Sequence, residues 1–261
     1  MAGLPLQRYR GFFAGVINRV VLSGNGPYGA DPAGVDLTWG PFPERSELLR
    51  NRILFRSAQF NISDRQWSND MTGIILAGGR ASRLGGINKA FIEVGGERLI
   101  DRTLRVYRAL FGEIIISTNS PLEYLGFDAR IVTDIHRGKG PMGGIHAGLL
   151  HATCEHAFVS ACDMPYLSEA FIRYMIEQAA GYDLVVPVTA NGFESLHAIY
   201  SRKCLPVIES QIERDELKVS LLFRKFKTRE IPEDEIRRFD PEGRLFANLN
   251  RPDDLKQIHH P

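Results

Sequence analysis

The stretch LAGGRASRLGGINKAF, residues 76–91, continues the apolar run GIIL of residues 73–76 and decides the fold. It carries four glycines and three basic side chains within sixteen residues. A strand that ends in residues without Cβ atoms lets backbone N–H groups approach phosphate oxygens closely, and successive N–H groups form an anion-binding nest. Arg80, Arg83 and Lys89 add mobile positive charge around such a nest. The stretch therefore predicts a strand, a phosphate-binding loop and a helical turn.

The two commonest phosphate-binding motifs do not match this stretch. The pattern G-x-x-x-x-G-K-[ST] fails because Ala90, and neither Ser nor Thr, follows Lys89. The dinucleotide pattern G-x-G-x-x-G is absent from it as well. The loop thus predicts a polyphosphate site of another kind.

From Met71 onward, apolar strand-like runs alternate with stretches of helical periodicity. The predicted strands cover residues 73–77, 113–118, 129–133, 157–161, 184–188 and 196–200. The predicted helices cover residues 99–110, 143–153, 168–179, 202–213 and 252–259. This alternation predicts an α/β domain whose mostly parallel sheet is covered by helices on both faces. In such a domain the ligand binds at the carboxyl ends of the strands.

Residues 1–70 differ in composition from the rest of the chain. They contain eight arginines, both tryptophans and no lysine, and neither a helical nor a strand period is sustained. We expect a poorly structured N-terminal extension, or upstream sequence ahead of a physiological start at Met71. The nucleotide-binding domain is expected to cover residues 71–261.

The charge balance and the apolar pattern exclude two classes of partner. The chain has 32 basic and 31 acidic residues, so it lacks the electrostatic footprint of a nucleic-acid-binding protein. No apolar run approaches the roughly 18 residues that span a bilayer. Three cysteines without C-x-x-C spacing indicate free thiols, and we expect a cytoplasmic protein.

The glycine-rich stretch resembles the signature loop of the molybdenum cofactor guanylyltransferases, which are MobA-like nucleotidyltransferases. Their pattern is LAGG, a basic residue, R-M-G and then D-K. This chain departs from that pattern twice, with Leu84 in place of Met and Asn88 in place of Asp. Asn88 keeps a hydrogen-bonding side chain but has no charge.

Further stretches resemble the same family in the same order. They are STNS at 117–120, IVTD at 131–134, GKGPMGGIHAGL at 138–149, ACDMP at 161–165 and FANLNRPDDL at 246–255. The resemblance implies a Rossmann-like three-layer α/β/α nucleotidyltransferase domain. It also implies transfer of GMP from GTP to Mo-molybdopterin, with release of pyrophosphate.

The implied reaction brings two anions together, so catalysis requires charge neutralisation and in-line positioning. We expect Lys89 to follow the α-phosphate in the transition state and Arg83 to share the triphosphate. Asp163 follows an apolar strand and is expected to hold Mg²⁺ together with phosphate oxygens and water. The predicted nucleotide-binding residues are Leu76, Ala77, Gly78, Gly79, Lys89, Asn119, Asp134 and Asp163. Asp134 is suited either to guanine N1 and N2 or to the ribose hydroxyls.

Fewer sequence features indicate which residues bind the acceptor, Mo-molybdopterin. The resemblance places Asn248 and Asn250 on the pterin side, and Lys139 suits the pterin phosphate, although a solvated loop lysine is an equal interpretation. His197 is predicted either as a pterin contact or as a core histidine. Two alternatives stay open for the whole chain: cytidylyl transfer from CTP, and a regulatory module that binds nucleotide without catalysis. The expected partners are GTP, Mo-molybdopterin and, transiently, proteins of cofactor synthesis or acceptor enzymes.

Overall fold

One large sheet organises the part of the chain that the computed structural model describes, which is residues 20–21, 70–78 and 88–249. All of these residues belong to one compact unit. The nine strands of the sheet are β1 (Val20–Val21), β2 (Met71–Leu76), β5 (Glu113–Ser117), β6 (Arg130–Val132), β7 (His156–Ala161), β8 (Leu184–Thr189), β9 (Gly192–Phe193), β10 (His197–Ser201) and β11 (Thr228–Ile231). Strands β3 (Glu93–Val94) and β4 (Glu97–Arg98) form a separate antiparallel pair.

The strand order is β1-β6-β5-β2-β7-β10-β8-β11, and β9 pairs with β8 outside this path. Strands β1, β6, β5, β2 and β7 run parallel to one another, and β11 runs parallel to β8. Strand β10 is antiparallel to both of its neighbours, β7 and β8. The carboxyl ends of β2, β5, β6 and β7 therefore meet at one edge of the sheet.

Helices cover both faces of this sheet. The helices are α1 (Leu99–Leu110), α2 (Gly140–His151), α3 (Glu169–Glu177), α4 (Leu205–Glu213) and α5 (Glu233–Ile236). Four 3₁₀ turns, at Lys89–Phe91, Pro121–Tyr124, Arg202–Cys204 and Val219–Arg224, complete the described elements. Helices α1, α3 and α5 pack in one apolar cluster and α2 and α4 in the other. The described residues thus form three layers.

Strand β2 lies at the centre of the sheet and is buried on both faces. Its side chains alternate between the two apolar clusters, Ile74 facing α2 and Ile75 facing α1. Such a strand is recognised in sequence as a continuous apolar run rather than as alternating polarity, which is the pattern of GIIL. The hydroxyl of Tyr107 on α1 donates to the carbonyl of Ile74 at 3.0 Å and lies 2.8 Å from Ser160 Oγ. Helix α1 is thereby attached to both central strands.

The predicted α/β fold with a mostly parallel sheet is confirmed, and the six predicted strands all form. The sequence pattern did not identify β10 as antiparallel to its neighbours, and the short strands β1, β3, β4, β9 and β11 and the short helix α5 were not predicted. Helix α2 begins at Gly140, three residues earlier than expected, because Pro141 in its first turn is compatible with a helix start. The predicted helix 252–259 lies outside the described residues. So does the predicted extension 1–70, apart from Val20, Val21 and Asp70.

Within the described part of the chain, no helix combines the length and the apolar character that crossing a bilayer requires.

We predict that Gly73→Ala destabilises the domain by about 1–3 kcal/mol. A Cβ at position 73 would lie 2.5 Å from ring atoms of both Tyr107 and Phe111, and the hydrogen bonds of Tyr107 resist its displacement. Urea unfolding measures the change. Gly126→Ala is the control, because a Cβ there has no heavy atom within 4 Å. Equal stability of the two variants would show that the contact is not as tight as described.

Candidate active site at the carboxyl edge of the sheet

Predicted site residues follow the carboxyl ends of four neighbouring parallel strands. Ala77 and Gly78 come after β2, Asn119 after β5, Asp134 after β6 and Asp163 after β7. Because the carboxyl ends of parallel strands lie at the same edge, these residues share one rim of the sheet. Backbone hydrogen bonds continue between the strand ends: Ala77 N donates to Ser117 O at 2.8 Å, and Cys162 N donates to Leu76 O at 3.1 Å.

The central feature of this rim is an ion pair between Lys89 and Asp163. Lys89 Nζ lies 3.0 Å from Asp163 Oδ2, and the two side chains are only 22% and 19% exposed. The 3₁₀ turn Lys89–Phe91 presents the lysine, and the side chain of Asn88 caps this turn by accepting a hydrogen bond from Ala90 N. The main chain of Asp163 is held in turn, because its carbonyl accepts a hydrogen bond from Leu249 N at 3.0 Å. A cation and a carboxylate therefore stand together where a triphosphate is expected.

A second charged centre lies at the end of β6. Asp134 is 7% exposed, and Asn119 donates its amide to Asp134 Oδ2 at 2.8 Å. Burial raises the pKa of the Asp134 carboxyl, while the hydrogen bond from Asn119 and the nearby His146 oppose that shift. Desolvation makes a carboxylate a stronger acceptor for a donor-rich ligand.

Helix α2 approaches this centre through two glycines. A Cβ on Gly144 would lie 3.1 Å from Leu76 Cδ2 and 3.3 Å from Ser117 Oγ. A Cβ on Gly143 would lie 3.0 Å from the carbonyl oxygen of His136. The sequence GPMGG thus permits the first turn of α2 to pack against the ends of β2 and β5, next to Asp134.

The remaining predicted residues on the nucleotide side, and Asn248 and Asn250 on the predicted pterin side, are only partly described. Leu76 and Ala77 are buried at the end of β2, and Gly78 is exposed directly after them. The predicted contacts Gly79, Arg83 and Asn250 lie outside the described residues. Asn248 is exposed and precedes Leu249, whose N–H binds the main chain of Asp163.

Lys139 lies just before α2 and forms an ion pair with Asp215, with Nζ 2.8 Å from Oδ1. The structure therefore brings Lys139 together with the loop after α4 rather than with the pair of Lys89 and Asp163. Asp215 has a positive φ of 58°, which turns the chain sharply at this contact.

His197 is fully buried; its main chain pairs with Ser160 near the carboxyl end of β7, but its ring lies among aromatic side chains and not at the rim surface. Its ring packs against Phe158, Phe171 and Phe246, and neither ring nitrogen has a hydrogen-bond partner among the described residues. Burial lowers the pKa of His197 from 6.5 to about 3, so the ring is neutral at physiological pH. Of the two predicted roles, the surroundings correspond to a core histidine.

A pocket of about 410 Å³, which was not predicted from the sequence, lies beside the start of α2. Its wall includes Pro141, the turn residue Asn191, Ser195, Lys218 and Ser220. Three separate segments supply these residues. Only Pro141 belongs to a stretch that the sequence singled out, GKGPMGGIHAGL, and nothing in that stretch indicates that the other two segments lie beside it. Pro141 and Lys218 belong to the two segments that the ion pair of Lys139 and Asp215 connects.

The described residues contain no group of three or more His, Cys, Asp or Glu side chains that could hold a metal ion by themselves. Asp163 is the described carboxylate whose position suits a divalent cation shared with a ligand, because Mg²⁺ is commonly bound by one or two carboxylates with phosphate oxygens and water. The donor set at the rim therefore fits a metal that arrives with a phosphate ligand.

A mostly parallel sheet whose central strand is followed by a glycine-rich stretch of sequence, with a lysine–carboxylate pair at its carboxyl edge, is typical of an α/β nucleotide-binding domain. The sequence model of the MobA-like NTP transferase domain matches residues 73–228. The chain belongs to this family and is a nucleotidyltransferase. The resemblance noted in the sequence is thereby confirmed.

Named relatives and a solved structure agree with this membership. The chain is 40% identical over 188 residues to a molybdenum cofactor guanylyltransferase of Desulfosudis oleivorans, covering 72% of this chain and 93% of that protein. It is 41% identical over 193 residues to a probable molybdenum cofactor guanylyltransferase of Peptoclostridium acidaminophilum, covering 71% and 87%. The crystal structure of molybdopterin-guanine dinucleotide biosynthesis protein A from Archaeoglobus fulgidus matches with a TM-score of 0.63 and 28% identity, covering 72% of this chain and 96% of that one.

We predict that His197 makes stability depend on pH. Its pKa is lower in the folded protein than in the unfolded chain, so below pH 6.5 the unfolded chain binds more protons. The free energy of unfolding should therefore fall as pH decreases from about 6.5 toward 3, at up to about 1.4 kcal/mol per pH unit from this group. His197→Leu should flatten that slope in urea unfolding. His151→Gln, at the end of α2, is the control; an unchanged slope in His197→Leu would contradict the assignment.

Proposed function

We propose that this protein transfers GMP from GTP to Mo-molybdopterin, forming Mo-molybdopterin guanine dinucleotide and releasing pyrophosphate. The observation that carries the proposal is the 3.0 Å pair of Lys89 and Asp163 at the carboxyl edge of the sheet. The choice of substrates rests on the relatives named above as molybdenum cofactor guanylyltransferases.

In this reaction a terminal phosphate oxygen of the pterin attacks the α-phosphorus of GTP. The bond between the α-phosphorus and its bridging oxygen to the β-phosphate breaks, and pyrophosphate leaves with that oxygen. Negative charge accumulates on the α-phosphate oxygens in the transition state, so an ammonium group held nearby lowers the barrier. Lys89 supplies that ammonium group, and no nucleophile of the protein is required.

Asp163 has two tasks in this scheme. Without substrate it neutralises Lys89, which keeps the lysine side chain directed toward the rim. With substrate it would hold Mg²⁺ through its carboxylate, and the metal would supply further neutralisation of the triphosphate. Because the metal would compete with Lys89 for this carboxylate, we expect Lys89 to turn from Asp163 toward the phosphates when GTP binds.

Asp134 and Asn119 are proposed to bind the nucleoside part of GTP. The carboxylate of Asp134 can accept hydrogen bonds from guanine N1 and N2 or from the ribose hydroxyls. Asn119 already donates to Asp134 at 2.8 Å and so holds the carboxylate in place for either contact.

The pocket beside α2 is proposed as the binding place of the acceptor. Lys218 and the serine hydroxyls of its wall can bind the anionic end of the pterin, and Asn191 can bind a polar ring edge. The ion pair of Lys139 and Asp215 would then act on the pocket indirectly, by connecting two of the segments that form its wall.

Two other functions remain distinguishable from this one. Transfer of CMP from CTP would use the same pair of Lys89 and Asp163, with a different base at Asp134. A regulatory module would bind GTP without transferring it. The protein is expected to act in the cytoplasm, without nucleic acid, and in transient contact with proteins that make or accept the cofactor.

A transfer assay with α-labelled GTP or CTP, Mo-molybdopterin and Mg²⁺ separates these functions. We expect label in the pterin from GTP only. Label from CTP instead would identify a cytidylyltransferase, and binding of GTP without transfer would identify a regulatory module.

Lys89→Ala should reduce the rate of GMP transfer by at least about 100-fold while GTP still binds, because the loss falls mainly on the transition state. Asp163→Asn should reduce Mg²⁺-dependent transfer by a similar factor, about 100-fold or more. Rates come from the same assay, and GTP binding comes from calorimetry. Lys203→Ala and Asp101→Asn are matched controls, since each removes one partner of an ion pair that includes neither Lys89 nor Asp163. A rate close to that of the unmodified protein in either active-site variant would refute the assigned role.

A further inference from the structure

The side chain of Asn88 links the turn that carries Lys89 to a neighbouring turn. Its Oδ1 accepts a hydrogen bond from Ala90 N at 3.1 Å, which caps the 3₁₀ turn Lys89–Phe91. Its Nδ2 donates to Glu123 Oε2 at 2.7 Å and to the hydroxyl of Tyr124 at 2.9 Å. One amide group therefore fixes the start of the lysine turn against the turn Pro121–Tyr124.

The orientation of this amide follows from its partners. Ala90 N–H is a donor, so the amide oxygen must face it, and the amide nitrogen must then face Glu123. An aspartate at position 88 could cap Ala90 equally well, but its second oxygen would meet the Glu123 carboxylate. The amide is needed for the contact with Glu123 and not for the cap.

Tyr124 extends the link to the other end of the glycine-rich stretch. Its side chain is fully buried, and its hydroxyl lies 3.3 Å from the carbonyl oxygen of Ala77 as well as 2.9 Å from Asn88 Nδ2. Ala77 directly follows β2, and Asn88 directly precedes the lysine turn. The two described ends of the stretch are thus joined through one hydroxyl, which limits how far Lys89 can move relative to β2.

We infer that Asn88 is a positioning residue for Lys89 and that Glu123 is the partner that makes an amide the required side chain at position 88. The inference rests on the proposed function, because the position of Lys89 is observed through nucleotide transfer. Where the resembled D-K pattern has Asp, this chain has Asn88, and the neighbouring turn carries the carboxylate of Glu123 that the amide contacts.

A carboxylate at position 88 would place two negative charges at the contact that Asn88 and Glu123 now make at 2.7 Å. Two carboxylates this close disfavour the doubly ionised state and share a proton more readily than isolated ones. Glu123 is exposed, so the ionised pair can relieve the repulsion by moving apart. The turn that carries Lys89 would then shift relative to Asp163.

The test is Asn88→Asp, measured as GMP transfer from GTP to Mo-molybdopterin across a pH series. At about pH 8 the turnover should fall about tenfold, because small displacements of a catalytic group have effects of this size or larger. Toward about pH 5.5 the ratio of variant to unmodified rate should rise, because a shared proton restores a donor between the two carboxyls. Asn88→Ser keeps an acceptor for Ala90 but has no amide donor. The turnover that this variant loses should not depend on pH in this way.

The double variant Asn88→Asp with Glu123→Gln provides the rescue. A glutamine amide at position 123 can donate to the carboxylate at position 88, so turnover should return to within about threefold of the unmodified protein. Leu122→Asp is the charge control. Leu122 is 79% exposed and adjacent to Glu123. Leu122→Asp therefore adds a carboxylate near the contact of Asn88 and Glu123 and leaves both of those side chains unchanged.

Normal turnover of Asn88→Asp at about pH 8, or a loss that Glu123→Gln does not restore, would overturn the inference. If the unmodified protein transfers no nucleotide, the proposed function fails. The contact between Asn88 and Glu123 can still be tested by a measurement that does not depend on activity. In urea unfolding, the change in the free energy of unfolding for the double variant should differ from the sum of the changes for Asn88→Asp and Glu123→Gln if the two side chains interact. Additive changes would overturn the inference independently of any activity.

Discussion

The ion pair of Lys89 and Asp163 is the contact on which the candidate site depends. It joins two side chains that are 74 residues apart in the chain and places them 3.0 Å from each other. Partial burial makes such a pair stronger than a surface pair, but it also means that either charge alone would be poorly solvated. A triphosphate with a divalent cation offers each group a new partner of opposite charge, the phosphates for Lys89 and the cation for Asp163. The ion pair is therefore suited to separating when such a ligand binds.

The sheet accounts for how these two residues meet. β2 and β7 are adjacent and parallel, so the chain leaves both strands at the same edge. Asp163 is the second residue after the end of β7, whereas Lys89 reaches the rim through the turn after the glycine-rich stretch. Asn88, Tyr124 and Ala77 connect that turn with the end of β2. The geometry of the site is therefore supported by neutral hydrogen bonds as well as by charge.

Two buried polar residues of this domain, Asp134 and His197, differ in their hydrogen-bond partners. Asp134 has a hydrogen-bond donor in Asn119 and lies at the rim, where a ligand can supply further donors. His197 has no such partner among the described residues, and it stays neutral within a cage of aromatic rings. Position along the sheet does not explain the difference, because β10 is antiparallel and His197 pairs with Ser160 near the carboxyl end of β7. The difference is that aromatic side chains enclose the His197 ring, whereas Asp134 follows the end of β6. The sequence predicted Asp134 as a nucleotide contact and left His197 open between a pterin contact and a core histidine.

The sequence by itself determined the α/β class, the central strand, the glycine-rich stretch and the identity of Lys89 and Asp163 as candidates. These follow from local patterns, since a doubly buried strand is continuously apolar and a phosphate loop needs residues without side chains. Only the tertiary structure decided that β10 runs antiparallel, that Lys139 pairs with Asp215 and that Asn88 faces Glu123. Strand direction and contacts between distant segments depend on how helices and loops pack, and no local periodicity encodes that packing.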